Sequence, residues 1–113
     1  MDWRANDRKP VAFQVRVTGF ANPELTASGE ALDISQSGIG VYLPLQFKLG
    51  TLVCLDIKDS VLYGFVAYSI PERSFFRTGI ELVQVLIGSS NLSQKLKATL
   101  KEAMPELQMT SST

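Results

Sequence analysis

The chain has 113 residues, 45% of them hydrophobic, enough for one core and too few for two domains of ordinary size. Its 11 Lys and Arg balance its 11 Asp and Glu, so the overall charge predicts no general attraction to nucleic acid or to an anionic membrane. There is no histidine and only 1 cysteine, which excludes a Ser-His-Asp or Cys-His catalytic site, a Cys/His zinc site and an internal disulfide. The acids are scattered, so the composition points to a binding module and not to an enzyme, with no metal and no cofactor. No apolar run approaches the ~20 residues of a membrane span, and "MDWRANDRKP" lacks the apolar core of a signal peptide. A cytoplasmic location without membrane insertion is the resulting expectation.

In chain order, "VAFQVRVTG" sets Val11, Phe13, Val15 and Val17 against Ala12, Gln14, Arg16 and Thr18, the alternation of a half-buried antiparallel strand. A turn at Pro23 leads to "LTASGEALDIS", a second strand in which Gly29 marks a bulge or bend. "IGVYL" is a third strand, cut short by Pro44. "GTLVCLDI" and "VLYGFVAYSI" form the fourth and fifth, joined by a hairpin-length loop at "KDS". Cys54 in the fourth reads as a buried packing residue, and Pro71 as the end of the fifth. "FFRTGIELVQV" is the sixth, with Phe76, Thr78, Ile80 and Leu82 alternating against Phe75, Arg77, Gly79 and Glu81.

Six short strands with turns between them predict an all-β fold, a six-stranded antiparallel β-barrel whose closure removes exposed edges, followed by one C-terminal helix. In that helix Leu92, Leu96, Leu100 and Ala103 or Met104 recur every three or four residues, with Asn91 as N-cap and Gln94 reaching back to it. Pro105 ends the helix near Met104. Its apolar stripe serves better as a cap on the open barrel end than as a partner face. The expected organisation is a single domain over 1–107, with an arm at 1–10, the barrel at 11–86, the helix at 90–104 and a disordered tail at 108–113.

The polar stretch "DISQSG" interrupts the second apolar run. Asp33 and Ser35, two apart in a strand, project on one face while Ile34 projects on the other. A carboxylate accepts two parallel N–H bonds and a hydroxyl donates or accepts, which suits the N1–H and N2–H₂ edge of a guanine. Gly38 permits positive φ or a close backbone approach, and Gly40 with Tyr42 leaves a flat patch that a planar base could cover. The same residues also suit a plain Asx or Ser turn into the third strand. In the arm, Arg4 and Arg8 stand four apart with Lys9 beside them. Their planar forks match phosphate oxygens or the O6 and N7 of guanine, and would equally suit an ordinary solvated terminus.

Taken together, R-x-x-x-R on an arm, a strand, and then D-x-S-x-x-G resemble the PilZ domain family, from Arg4 through "TGIEL" to the C-terminal helix. The resemblance implies a six-stranded barrel that binds the bacterial second messenger cyclic di-GMP. It implies that Arg4 and Arg8 take the phosphates and guanine O6/N7 edges, that Asp33 and Ser35 take a guanine's Watson–Crick side, and that Gly38 shapes the turn. Trp3, Lys9 and Gly40 are secondary contacts on this reading. Trp3 stands where members often carry another basic residue, associated with an intercalated ligand pair, so one ligand per site is expected. The indole can stack on a base or tuck against the barrel. The implied function is a receptor or adaptor that converts messenger binding into a change of arm conformation and of contacts with a protein effector or a covalently linked domain.

Three other readings compete with this one. A PilZ-like protein-interaction module would bind no nucleotide. An OB-like barrel would stack single-stranded nucleic acid on Trp3, Tyr42, Tyr63, Phe65 and Tyr68, a reading the neutral charge opposes, so no DNA partner is expected. A split-barrel flavin protein would need a phosphate-binding stretch beyond the arm.

Overall fold

The computed structural model describes residues 8–111. Strands form where the alternation predicts them: β1 (Lys9–Gly19), β2 (Thr26–Ser35), β3 (Gly38–Leu43), β4 (Leu52–Ile57), β5 (Ser60–Glu72) and β6 (Phe75–Ile87). Helix α1 (Asn91–Ala103) and a short β7 (Met109–Ser111) follow. β3, β2, β1, β4, β5 and β6 pair in that order, and the pairing of β3 with β6 closes them into a six-stranded barrel, antiparallel throughout. Closure leaves one inner surface to fill. Val17, Ile34, Val41, Leu43, Leu55 and Leu62 fill it at 0% exposure, each large aliphatic contributing about 1.5–3 kcal/mol of burial.

Leu96 and Leu100 of α1 join that core from one end, so the apolar stripe of the helix plugs the barrel mouth. The plug is pinned by a polar cluster on the β4–β5 hairpin. Asp59 accepts the backbone N–H groups of Ser89 and Ser90 at 2.8 and 3.0 Å and the Ser93 hydroxyl at 2.6 Å. Its carboxyl is held well below the usual range by hydrogen bonds from the hydroxyls of Ser90 and Ser93. Ser60 Oγ, fully buried, accepts from Gly88 N–H at 2.9 Å and meets Ser93 Oγ at 2.5 Å. Among the described residues no helix is long and apolar enough to cross a membrane.

Several local expectations are corrected. The helix N-cap is Ser90, whose hydroxyl accepts from Ser93 N–H, and Gln94 reaches back to the carbonyl of Gly88. Pro71 does not end β5: it pairs with Phe76 inside the strand. There β5 has lost β4, which reaches only from Ser60 to Phe65, so the missing N–H can face an open edge. Cys54 is half-buried and faces outward, because Val53, Leu55 and Ile57 hold the inward phase of β4. The bulge in β2 falls at Leu32 and not at Gly29. In the expected disordered tail, Met109, Thr110 and Ser111 pair in parallel with Val85, Leu86 and Ile87. β3 covers β6 only from Phe76 to Ile80, and the rest of that edge is free to accept a strand.

Candidate functional site

The site is a single row across the sheet. Asp33 pairs with Gly40, Gly40 with Gly79, and Gly79 with Tyr68, so a floor of two glycines lies between a carboxylate and an aromatic ring. Strand spacing of ~4.8 Å sets the backbones of Asp33 and Tyr68 about 14 Å apart along the curved sheet, and closer than that across it. Both flanking side chains lean inward. A Cβ on Gly40 would stand 2.7 Å from Asp33 Oδ1, and one on Gly79 would stand 2.1 Å from the Tyr68 ring.

Two β-bulges place these side chains on the outer face. Ala31 and Ile34, three apart, are both buried, and the register slips between Ala31 and Asp33. The extra residue, Leu32, turns Asp33 and Ser35 away from the core. On β5 the register slips between Val66 and Tyr68, with Ala67 as the extra residue. Val66 is buried, so unbroken alternation would send Tyr68 inward; the bulge sends it out beside Gly79.

Asp33 Oδ2 pairs with Arg8 Nη1 at 3.3 Å and with Arg77 Nη2 at 3.4 Å. The side chains are 14% exposed for Asp33, 53% for Arg8 and 30% for Arg77, so the carboxylate is largely desolvated while both cations keep part of their water. Arg8 is held still more firmly protonated by hydrogen bonding to Tyr68 and by the charge of Asp33. Arg8 thus pairs with Asp33 on one side of the glycine floor and lines the same cavity as Tyr68 on the other. A cavity of about 140 Å³ lies among Arg8, Asp33, Ser35, Gly38, Gly40 and Tyr68. That is below the ~300–1,000 Å³ of a complete small-molecule pocket, so the barrel alone offers one subsite.

Ser35 Oγ accepts from Ser37 N–H at 3.2 Å, so the hydroxyl shapes the β2–β3 turn as well as facing the cavity. Gly38 has φ of 141°, and a Cβ there would stand 2.0 Å from the carbonyl oxygen of Ile80. Only glycine fits that turn. Tyr42 leans away from the floor, donating to Glu72 Oε1 at 2.6 Å.

The structure thus brings Arg8, Asp33, Ser35, Gly38 and Gly40 around one cavity. Lys9 does not join them. It pairs with Ile34 on the other phase of β1 and lines a separate groove of about 640 Å³ with Gln36, Glu102 and Met104. Trp3 and Arg4 lie outside the described residues.

A family model described as PilZ domain matches residues 2–91, most of the chain. The chain belongs to the PilZ domain family. PilZ domains are cyclic di-GMP receptors as a family, binding and adaptor modules and not enzymes, although some members do not bind the messenger. No curated protein sequence matches the chain. In this PilZ domain the sequence motifs leave out Arg77 and Tyr68. Arg77 carried one signal, its place on the outward phase of "FFRTGIEL" beside Gly79. Tyr68 entered only as a stacking residue of the nucleic-acid reading, because the bulge that sets it beside Gly79 leaves no mark in "FVAYSI".

Proposed function

We propose that this PilZ domain binds cyclic di-GMP at the Asp33–Gly40–Gly79–Tyr68 row and acts as a messenger-gated adaptor. The observation that carries the reading is the glycine floor with an anionic acceptor on one side, an aromatic face on the other and a guanidinium paired with the acceptor in the same cavity. Asp33 accepts the N1–H and N2–H₂ edge of a guanine. Ser35 adds a hydroxyl at the same edge, and Tyr68 offers a stacking face worth ~1–3 kcal/mol.

The ligand carries two phosphates and two purines, so it needs cations at its rim despite the protein's zero net charge. Arg8 supplies one, and Arg4 supplies a second once the arm folds over the floor. In the free protein Arg8 occupies Asp33, and the guanine edge takes its place there. The guanidinium then turns to a phosphate or to O6 and N7. Ordering the arm costs about 1–2 kcal/mol per residue, so affinity depends on those arginine contacts exceeding it. A protein effector, or a domain joined covalently to this one, reads the changed arm.

Calorimetric titration of the protein with cyclic di-GMP, GTP, FMN and a short oligonucleotide tests the proposal. Saturable binding of cyclic di-GMP alone is expected. Arg8→Ala and Asp33→Ala should each remove ~1–3 kcal/mol, a loss of about 5- to 150-fold. Absence of cyclic di-GMP binding by the wild-type protein would leave a PilZ domain that works through protein contacts only.

A further inference from the structure

Asp33 has more partners than the reading above gives it, and a count of its acceptor positions separates their roles. An ionised carboxylate offers about four lone-pair sites, two on each oxygen. Oδ2 already receives both Arg8 at 3.3 Å and Arg77 at 3.4 Å, while Oδ1 faces the floor over Gly40. A guanine edge needs one position on each oxygen. One arginine must therefore leave Oδ2 when the base arrives.

The two arginines are not equivalent in that exchange. Arg8 precedes β1 and its side chain is 53% exposed. Arg77 sits inside β6, paired with Tyr42 of β3 on one side and Ile70 of β5 on the other, and its side chain is 30% exposed. The mobile partner of the exchange is the one outside the ladder.

We propose that Arg77 is the positioning residue of the site: it stays on Oδ2 when Arg8 turns to the ligand, and fixes Asp33 as the guanine reader. The inference rests on cyclic di-GMP being the ligand, and it divides the arginines by task. Arg8 contributes affinity and Arg77 contributes base selectivity. Without Arg77 the carboxylate, released by Arg8, is free to rotate out of the plane of the base. An edge reader that can rotate no longer distinguishes a base with two aligned donors from a base with one.

The test compares cyclic di-GMP with cyclic di-IMP, its inosine analogue, which lacks the exocyclic N2 amine of each base. Both are titrated by calorimetry into the wild-type protein, Arg77→Met, Arg8→Ala and Asp33→Asn. Wild type should prefer cyclic di-GMP by about 10- to 150-fold, the range for one hydrogen bond to a charged group. In Arg77→Met that ratio should fall toward one, as in Asp33→Asn. In Arg8→Ala both ligands should weaken together and the ratio should persist. Should Arg77→Met fail to fold, as judged by circular dichroism, Arg77→Gln is read in the same way.

A wild-type ratio in the folded Arg77 variant, or an equal loss for both ligands, would overturn the proposal and leave the cyclic di-GMP reading intact. A wild-type protein that binds both analogues equally overturns it too, since Asp33 then reads no amine. A wild-type protein that binds neither overturns both readings.

Discussion

Gly40→Ala separates the construction of the site from the construction of the barrel. The added methyl would stand 2.7 Å from Asp33 Oδ1, the far end of a side chain that can swing aside. Replacing a strand glycine by alanine gains about 0.5–1 kcal/mol of backbone entropy. The displaced carboxylate loses its contacts with Arg8 and Arg77, partly exposed pairs worth ~0–1 kcal/mol each. These terms oppose each other, so the melting temperature should move by less than the roughly 4–8 °C that 1 kcal/mol represents. Binding should not be spared. The methyl fills the floor and turns the edge reader, at a loss of ~1–3 kcal/mol, or about 5- to 150-fold in affinity for cyclic di-GMP. Gly38→Ala is the control, because its Cβ would stand 2.0 Å from the backbone oxygen of Ile80 at φ of 141°. The dihedral alone costs about 1–3 kcal/mol, and the clash is relieved only by opening the β3–β6 seam. Thermal melts followed by circular dichroism, with calorimetric titrations on the same samples, measure both effects. Wild-type affinity in Gly40→Ala, or an unchanged melt in Gly38→Ala, would refute the reasoning.

Tyr68→Ala should weaken cyclic di-GMP binding by ~1–3 kcal/mol through loss of stacking, while Tyr68→Phe keeps the ring and most of the affinity; equal titration curves for wild type and Tyr68→Ala would remove the ring from the site. Ser90→Ala removes the helix cap and one partner of Asp59. It should lower the urea midpoint by the equivalent of about 1 kcal/mol at unchanged slope. Asp59 is held below its ordinary 3.8 in the folded state, so between the two values the unfolded chain binds more protons and stability rises with pH. Its contribution is full above about pH 5 and is lost as pH falls below about 4 toward the folded value. The stability difference between wild type and Asp59→Asn, from urea curves, should therefore shrink from pH 6 to pH 3. An equal difference at both would show that the carboxylate's charge is not what pins the helix.

Most of the barrel was legible because its information is local and periodic. Val15 and Val17, or Ile80 and Leu82, alternate with polar or small neighbours, and the alternation specifies which face is buried. The helix was legible for the same reason, its Leu96 and Leu100 recurring at helical spacing. The short β7 was not, since "QMTSST" has no apolar period and its pairing depends on a free edge of β6 that only the closed barrel defines. The helix cap was misplaced by one residue because Ser90 and Asn91 are both good caps. The choice between them was made by Asp59, distant in sequence, which binds Ser90.

The site was legible only in half, and the missing half has a physical explanation. Asp33, Ser35 and Gly38 lie within six residues, and a motif of that length carries its geometry with it. Arg77 and Tyr68 reach the same row only through register: β6 against β3, and β5 against β6 with Ala67 inserted. A one-residue insertion reverses every side chain beyond it, so a strand read by alternation sends Tyr68 into the core. Bulges that break alternation at Leu32 and at Ala67 are therefore the features that convert a closed, inward-looking barrel into one with an acid and an aromatic facing solvent over glycine. Were Ala67 to pair with Gly79 in place of bulging, unbroken alternation on β5 would turn Tyr68 toward the barrel interior. The floor would lose its aromatic wall while Asp33 kept both arginines, so the row depends on each bulge separately.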